Sequence, residues 1–281
     1  MKLLRYGPLG AEKPAALHLD GSLRDLSAHI GDIDAAAISP AGLVGLQKID
    51  LDQCPIVAPE ARLGTCVAGT GKFVCVGLNY SDHAAEAGMG VPAEPILFMK
   101  ANSAICGPND PILIPRGATK TDWEVELAII IGKKAKYVTR ETALEYVAGY
   151  AVANDVSERG FQIEGTGQWT KGKSHDNFGQ LGPWLVTKDE VPNPHDLKMW
   201  LSVNGVMRQN GSTRTMIFGV EYLVSYISQY MTLHPGDVIS TGTPPGVGMG
   251  QKPPSYLKVG DVVELSIQGL GQQRQDVVQD A

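Results

Sequence analysis

Glu124 and Glu126, two positions apart in TDWEVELAIII (121–131), carry the most chemical information in this chain. Side chains alternate along an extended strand, so Asp122, Glu124 and Glu126 share one face while Trp123, Val125 and Leu127 take the other. An exposed, charged edge strand would give the same pattern. The continuation LAIII, apolar on both faces, points instead to a strand that runs into the interior. Carboxylates at the end of such a strand repel one another and are costly unless something positive sits between them. Asp155, closing the apolar strand in AVANDVSER (151–159), offers a third carboxylate, or else is an ordinary strand-end turn residue. Three carboxylates suit a hard divalent cation, Mg²⁺ or Mn²⁺, better than zinc, and leave positions for water and a chelating substrate.

His83 and Glu86 stand three apart in VGLNYSDHAAEAGMGVPAEP (76–95). If the segment coils into a helical turn they meet on one side, as a histidine base oriented by a carboxylate; a solvated loop with incidental charges is the other reading. Its small residues, glycines and prolines suit a lid over about residues 79–94. TGTPPGVGMG (241–250) is a glycine-rich loop whose backbone N–H groups and Thr hydroxyls could hold a carboxylate, and it matches neither nucleotide-binding glycine pattern. Lys171 and Lys173 lie among small residues in QWTKGKSHDNFGQLGPW (168–184), either at the surface or placed to neutralise a substrate oxyanion.

The elements that must position these groups are short and numerous, because Gly and Pro make up about 18% of the chain against an average near 12%. Strand-like runs bounded by breakers fall at 73–77, 96–99, 112–114, 125–131, 149–155, 184–187, 198–203, 237–240 and 261–267. Asn204-Gly205 is a two-residue hairpin signal. The spacing predicts a helix over 216–231 and a shorter one over 140–148, with Thr139 as N-cap and Gly149 just past its end. Strands and helices do not alternate regularly, which disfavours a doubly wound parallel sheet and favours a β-rich α+β fold. Residues 1–70 read as a small N-terminal α+β domain, with strands around Asp20-Gly21 and a helix opened by Ser39 and Pro40, joined through the Pro-rich 52–64 to a larger part from about residue 71.

The composition is that of an ordinary globular chain of 281 residues, 43% hydrophobic and 19% charged, without an apolar run long enough to span a membrane. The start MKLLRYGPLGAEKP lacks the apolar stretch of a signal peptide, so cytoplasmic residence is expected. A formal charge of −6 without Lys/Arg runs argues against nucleic acid as a partner. Four cysteines without C-x-x-C spacing are expected to be reduced, mostly as small core residues.

VGLNYSDHAAE, ILFMK, TDWEVELAIIIG, GYAVANDVSER, KGKSHDNFGQLGPWLVT, LSVNGVMRQNGST and PGDVISTGTPPGVG, in this order, closely resemble the fumarylacetoacetate hydrolase superfamily over about 200 residues. The resemblance implies a mixed β-sandwich roll for residues 71–281, a homodimer, and Mg²⁺ or Mn²⁺ acting with 2-oxo acids that carry a second carbonyl. By position it implies Glu124, Glu126 and Asp155 as metal ligands and His83 with Glu86 as a lid dyad that activates water. It places Lys173 beside the substrate carbonyl, Gln162 as a polar site residue and Thr243 as a carboxylate-binding hydroxyl. Some members have Arg where this chain has Leu78, so charge recognition there is replaced, which favours a neutral, hydroxylated substrate tail.

Within the superfamily the pattern most resembles hydrolases of 2,4-diketo-3-deoxy sugar acids, whose relatives are often labelled ureidoglycolate lyase. The expected reaction is cleavage of the C3–C4 bond to give pyruvate and a second carboxylic acid. The alternatives are oxaloacetate decarboxylation, isomerisation of an unsaturated dioate, the lyase reaction and, outside catalysis, an inactive binding scaffold.

Overall fold

The computed structural model describes residues 1–86 and 90–280. At the N-terminus β1 (Lys2–Tyr6), β2 (Lys13–Leu17) and β3 (Leu23–Asp25) form an antiparallel meander, with β2 and β3 turning around Asp20-Gly21. The helix α1 (Pro40–Leu46) begins where expected: Ser39 accepts from the Gly42 N–H at 3.0 Å, and Pro40 opens the first turn.

The next stretch holds β4 (Phe73–Gly77), α2 (Ser81–Glu86), β5 (Ile96–Lys100), β6 (Ile105–Cys106), β7 (Ile112–Ile114), β8 (Thr121–Asp122) and β9 (Val125–Ile131). Then come β10 (Val147–Asp155), β11 (Ser157–Glu158), α3 (Arg159–Ile163), α4 (Thr170–Lys173) and β12 (Gly179–Thr187). The chain finishes with β13 (Lys198–Val203), β14 (Val206–Ser212), α5 (Val220–Tyr230), β15 (Val238–Ser240), β16 (Val262–Ile267) and β17 (Gly271–Gln279).

The main sheet runs β3-β2-β1-β12-β10-β9-β15-β4-β5, with β6 beside β12; the second runs β14-β13-β16-β17-β7, and β8 pairs with β11. Most pairings are antiparallel, while β4 with β15, β6 with β12 and β7 with β17 are parallel. The result is a sheet-rich α+β fold with few helices, as the sequence suggests.

Strand β9 is buried along its whole length, and its alternation divides it between two cores. Leu127, Ile129 and Ile131 pack with Met199, Leu201 and Leu265 of the second sheet and Leu223 of α5. Ala128 and Ile130 face Leu3, Leu26, Ile33 and Ile38 from the first 70 residues, which therefore extend the main sheet and share its second core. The Asn204-Gly205 turn joins β13 to β14 with φ of 52° and 75°, the doubly left-handed geometry of a tight hairpin.

Two local expectations change. Residues 140–146 form a 3₁₀ rather than an α-helix, Thr139 makes no side-chain cap, and β10 begins at Val147. Gly149 therefore lies inside a strand, where a Cβ would come 2.1 Å from the Val186 carbonyl oxygen, so close strand approach explains this glycine. The other change is that Asp122 and Glu126 do not share one continuous strand: β8 pairs with β11, and β9 starts only at Val125. Among the described residues no helix is long and apolar enough to cross a membrane.

Candidate active site

The register between β9 and β10 brings the two ends of the acidic pattern together. Ala153 lies opposite Glu126 and Asn154 opposite Val125, and the Asp155 N–H donates to the Glu124 carbonyl at 2.9 Å. Asp155 is thus carried to the face occupied by Glu124 and Glu126. One carboxylate oxygen from each of the three lies within 4.8 Å of the others, and all three residues are buried. Oxygens around one cation at about 2.0–2.6 Å would span such a distance, so the donor set fits a hard divalent ion.

The surrounding charges differ from one carboxylate to the next. Glu124 accepts from Arg159 Nη2 at 2.6 Å and from Lys173 Nζ at 2.7 Å. Burial opposes its ionisation, but the neighbouring Lys173 and Arg159 charges outweigh it and hold the carboxyl at about 2. Asp155 accepts from Lys173 at 2.8 Å and from buried Lys100, which also donates to the Val156 carbonyl at 3.0 Å. Glu126 accepts from the Ser240 hydroxyl at 2.5 Å and the Gly242 N–H at 2.8 Å. Burial, then the Asp155 and Glu124 charges, push its carboxyl well above the ordinary range.

A cavity of about 480 Å³ opens beside this cluster, lined by Glu124, Glu126, Lys173, His83, Glu86, Arg159, Gln162 and Thr243 together with the apolar Leu78, Phe98, Trp169, Val247 and Met249. In α2, which follows β4, His83 Nδ1 lies 3.2 Å from Glu86 Oε2, so the pair expected from its spacing is formed. Glu86 also accepts from the Gly246 N–H at 3.1 and 3.2 Å. Asn79 pins the segment before α2, donating to the Phe218 and Thr241 carbonyls and accepting from the Phe218 N–H. Of the expected lid over 79–94, residues 87–89 lie outside the described residues. Lys171 lies outside this lining, with its ammonium 3.3 Å from the Thr166 hydroxyl.

Gln162 accepts from Arg159 Nη1 at 3.0 Å. The Thr243 hydroxyl donates to the Val125 carbonyl at 2.9 Å and accepts from Gln209 at 2.8 Å. Leu78 sits at the cavity wall with φ of 54°, turning the chain out of β4.

Sequence reasoning passed over Arg159 and Lys100. Arg159 is buried, donates to Asp122 at 2.8 Å and to Glu124, and lines the cavity. Lys100 closes the apolar run ILFMK, whereas Arg159 follows Ser157 and Glu158 in VSER. Asp122, expected on the glutamate face, instead accepts from Arg159 and from the Gly248 and Met249 N–H groups at 2.6 and 3.0 Å, anchoring the loop that Glu86 touches.

The family model for the fumarylacetoacetate (FAA) hydrolase C-terminal region matches residues 72–278. The chain belongs to the fumarylacetoacetate hydrolase family. All the side chains of the cluster and the cavity just described lie within the family match. A curated relative from Burkholderia multivorans is 60% identical over 276 residues, 98% of each chain, and its name offers the class hydrolase and no substrate. Among solved structures, the family's fumarylacetoacetate hydrolase from Exiguobacterium antarcticum is 38% identical with a TM-score of 0.89, covering all of both chains. Maleylpyruvate hydrolase from Sphingobium sp. SYK-6, solved with manganese(II) and pyruvate, is 30% identical with a TM-score of 0.83, also over the full length of both.

Proposed function

We propose that this chain is a metal-dependent hydrolase that cleaves the C3–C4 bond of a 2,4-dioxo acid, releasing pyruvate and a second carboxylic acid. The observation that carries the reading is that one cavity is lined by the glutamates of the acidic cluster, the His83–Glu86 pair and Lys173. Glu124, Glu126 and Asp155 would hold Mg²⁺ or Mn²⁺, and the Sphingobium relative's manganese and pyruvate support that choice. A bound cation would supply Lewis-acid polarisation of the substrate's 1-carboxylate and 2-oxo group.

The protein groups then divide the work. His83, its Nδ1 turned to Glu86, takes a proton from water as the oxygen attacks C4. The C3–C4 bond breaks with its electron pair passing into the enolate of pyruvate. The Lys173 ammonium offsets the enolate charge, and the proton held by His83 returns to C3. The second acid keeps the water oxygen, gives that water's remaining proton to solvent and leaves as a carboxylate. Gln162 and Thr243 are the proposed substrate contacts, and Leu78, lacking charge, suits a hydroxylated tail of the 2,4-diketo-3-deoxy sugar acid type. A homodimer in the cytoplasm is the proposed working form.

A second reading, isomerisation of an unsaturated dioate, is favoured by a Mycobacterium abscessus structure described as a probable 2-hydroxyhepta-2,4-diene-1,7-dioate isomerase, 31% identical to this chain. It would need the cation but no hydrolytic water. A panel of 2,4-dioxo acids with hydroxylated, aliphatic and dicarboxylic tails, assayed for pyruvate with lactate dehydrogenase, separates the two. Pyruvate release abolished by EDTA is expected. Turnover of dioates without pyruvate would transfer the site to the isomerase reading.

A further inference from the structure

The loop at 246–250 touches both halves of the site. Its Gly248 and Met249 N–H groups are held by Asp122, which accepts from Arg159, which in turn donates to Glu124 of the acidic cluster. Its Gly246 N–H reaches both carboxylate oxygens of Glu86, whose Oε2 faces His83 Nδ1. A carboxylate only accepts, so the neutral imidazole held in this arrangement has its proton on Nδ1 and its lone pair on Nε2, where a base needs it.

Gly250 closes this loop at the point where Glu86 arrives. A Cβ built there would lie 2.9 Å from Glu86 Cδ, 3.0 Å from Oε2 and 3.2 Å from Oε1, so its three nearest neighbours all belong to one carboxyl group. Gly246 differs: its φ of 104° and a Cβ only 2.0 Å from the Arg208 carbonyl make any substitution there a backbone problem. Gly250 needs no left-handed backbone. We propose that Gly250 is a positioning residue for the His83–Glu86 pair, its missing side chain being what lets the Glu86 carboxylate seat on the Gly246 N–H and orient His83. The chain of contacts through Asp122 and Arg159 sets that seat at a fixed place relative to the acidic cluster. The catalytic consequence rests on the hydrolase reading above, whereas the seat itself does not.

Gly250→Ala would push the end of a flexible side chain and leave the loop's backbone bonds in place. The variant is expected to lower kcat for pyruvate release by about tenfold to a hundredfold, the cost of a catalytic group misplaced by about 1 Å, with KM changed much less. Mn²⁺ affinity, measured with the metal alone by electron paramagnetic resonance, is expected to stay within about twofold of the parent because the acidic cluster is untouched. Nitrogen-15 shifts of His83, recorded without metal or substrate, should move from the single Nδ1–H tautomer toward a mixture. Adding Glu86→Asp, one methylene shorter, should make room again and recover part of the tautomer bias and of kcat. An unchanged tautomer with unchanged kcat overturns the proposal, and so does Mn²⁺ affinity falling in parallel with kcat. If Gly250→Ala fails to fold, a folded double variant supports the clash with Glu86 and an unfolded one overturns it. A parent enzyme that turns over no 2,4-dioxo acid, yet shows the tautomer response, removes the hydrolase reading and leaves the seat standing.

Discussion

Glu124 and Glu126 are two residues apart, yet the charges around them make opposite demands. Glu124 is tied to Arg159 and Lys173, so neutralising it leaves two buried cations short of their counter-charge. Removing one member of a buried ion pair typically costs about 3–5 kcal/mol. Glu126 accepts from Ser240 and Gly242, and its charge is opposed by Asp155 and Glu124. Glu126→Gln keeps one acceptor oxygen and relieves that repulsion. Urea denaturation of the metal-free protein should therefore show Glu124→Gln clearly destabilised and Glu126→Gln as stable as the parent or more so. Mn²⁺ affinity should fall in both, by about tenfold or more. Equal destabilisation of the two variants would contradict this account of the cluster. The carboxylates were legible because E-x-E places both on one face and the run LAIII implies burial. Lys100 was not, because a single cation at the end of an apolar run usually reaches for solvent, and Arg159 was not, because beside Ser157 and Glu158 it has the look of a polar turn. That Asp155 waits beside Lys100, 55 residues further on, is a product of strand register.

At the scale of elements, the strands read correctly were those whose apolar residues announce burial, as in FVCVG and VELAIII. The C-terminal strand β17, GQQRQDVVQ, escaped because part of its inward face is amide: Gln273, Gln275 and Val277 are buried while their neighbours alternate outward. Gln273 donates to the Val152 and Gly182 carbonyls. Gln275 donates to the Pro108 carbonyl at 2.6 Å and accepts from Asn154, whose Oδ1 receives the Glu124 N–H at 3.2 Å. Polar positions facing a core break the binary pattern on which strand reading depends. The segment 140–146 misled in the opposite way: its apolar spacing is helical, but Val147 pairs with Ile131 of β9, so the chain passes into the sheet at that point. Replacing Gln275 by Leu, which is close in size, would strand the Pro108 carbonyl and the Asn154 amide in the interior. Each unsatisfied buried group costs about 1–3 kcal/mol, so a lower urea midpoint with an unchanged slope is expected. A midpoint equal to the parent's would mean that water or relaxation satisfies these groups.

For the molecule as a whole, the sequence suggests a boundary near residue 70, and the structure allows a sharp test of whether the two parts come apart. Strand β1 pairs with β12, and Cys66, from the first part, lies in the same core cluster as Leu181 and Leu185 from the second. The Cys66 N–H donates to the Leu181 carbonyl at 3.4 Å. Cys106 belongs to the larger part and is held against β12 through the pairing of β6, so its thiol becomes accessible when that pairing opens. Burial pushes the Cys66 thiol up to about 12 from an ordinary 9.0, and burial likewise raises Cys106. The thiolate is the reactive form, so a raised value suppresses labelling at pH 8, and reactivity returns only when the chain opens and the ordinary value is restored. Single-cysteine variants retaining only Cys66 or only Cys106 would follow the two regions by reaction with a chromogenic disulfide reagent across a urea series. If residues 1–70 fold as part of one cooperative unit, both thiols should become reactive together, with the global unfolding curve. If the boundary is a true domain boundary, Cys66 should react at lower urea, while Cys106 stays protected and intrinsic fluorescence stays native. The shared core of Leu3, Leu26, Ile33, Ala128 and Ile130 predicts the first result, because separating the parts would expose several large side chains at about 1.5–3 kcal/mol each.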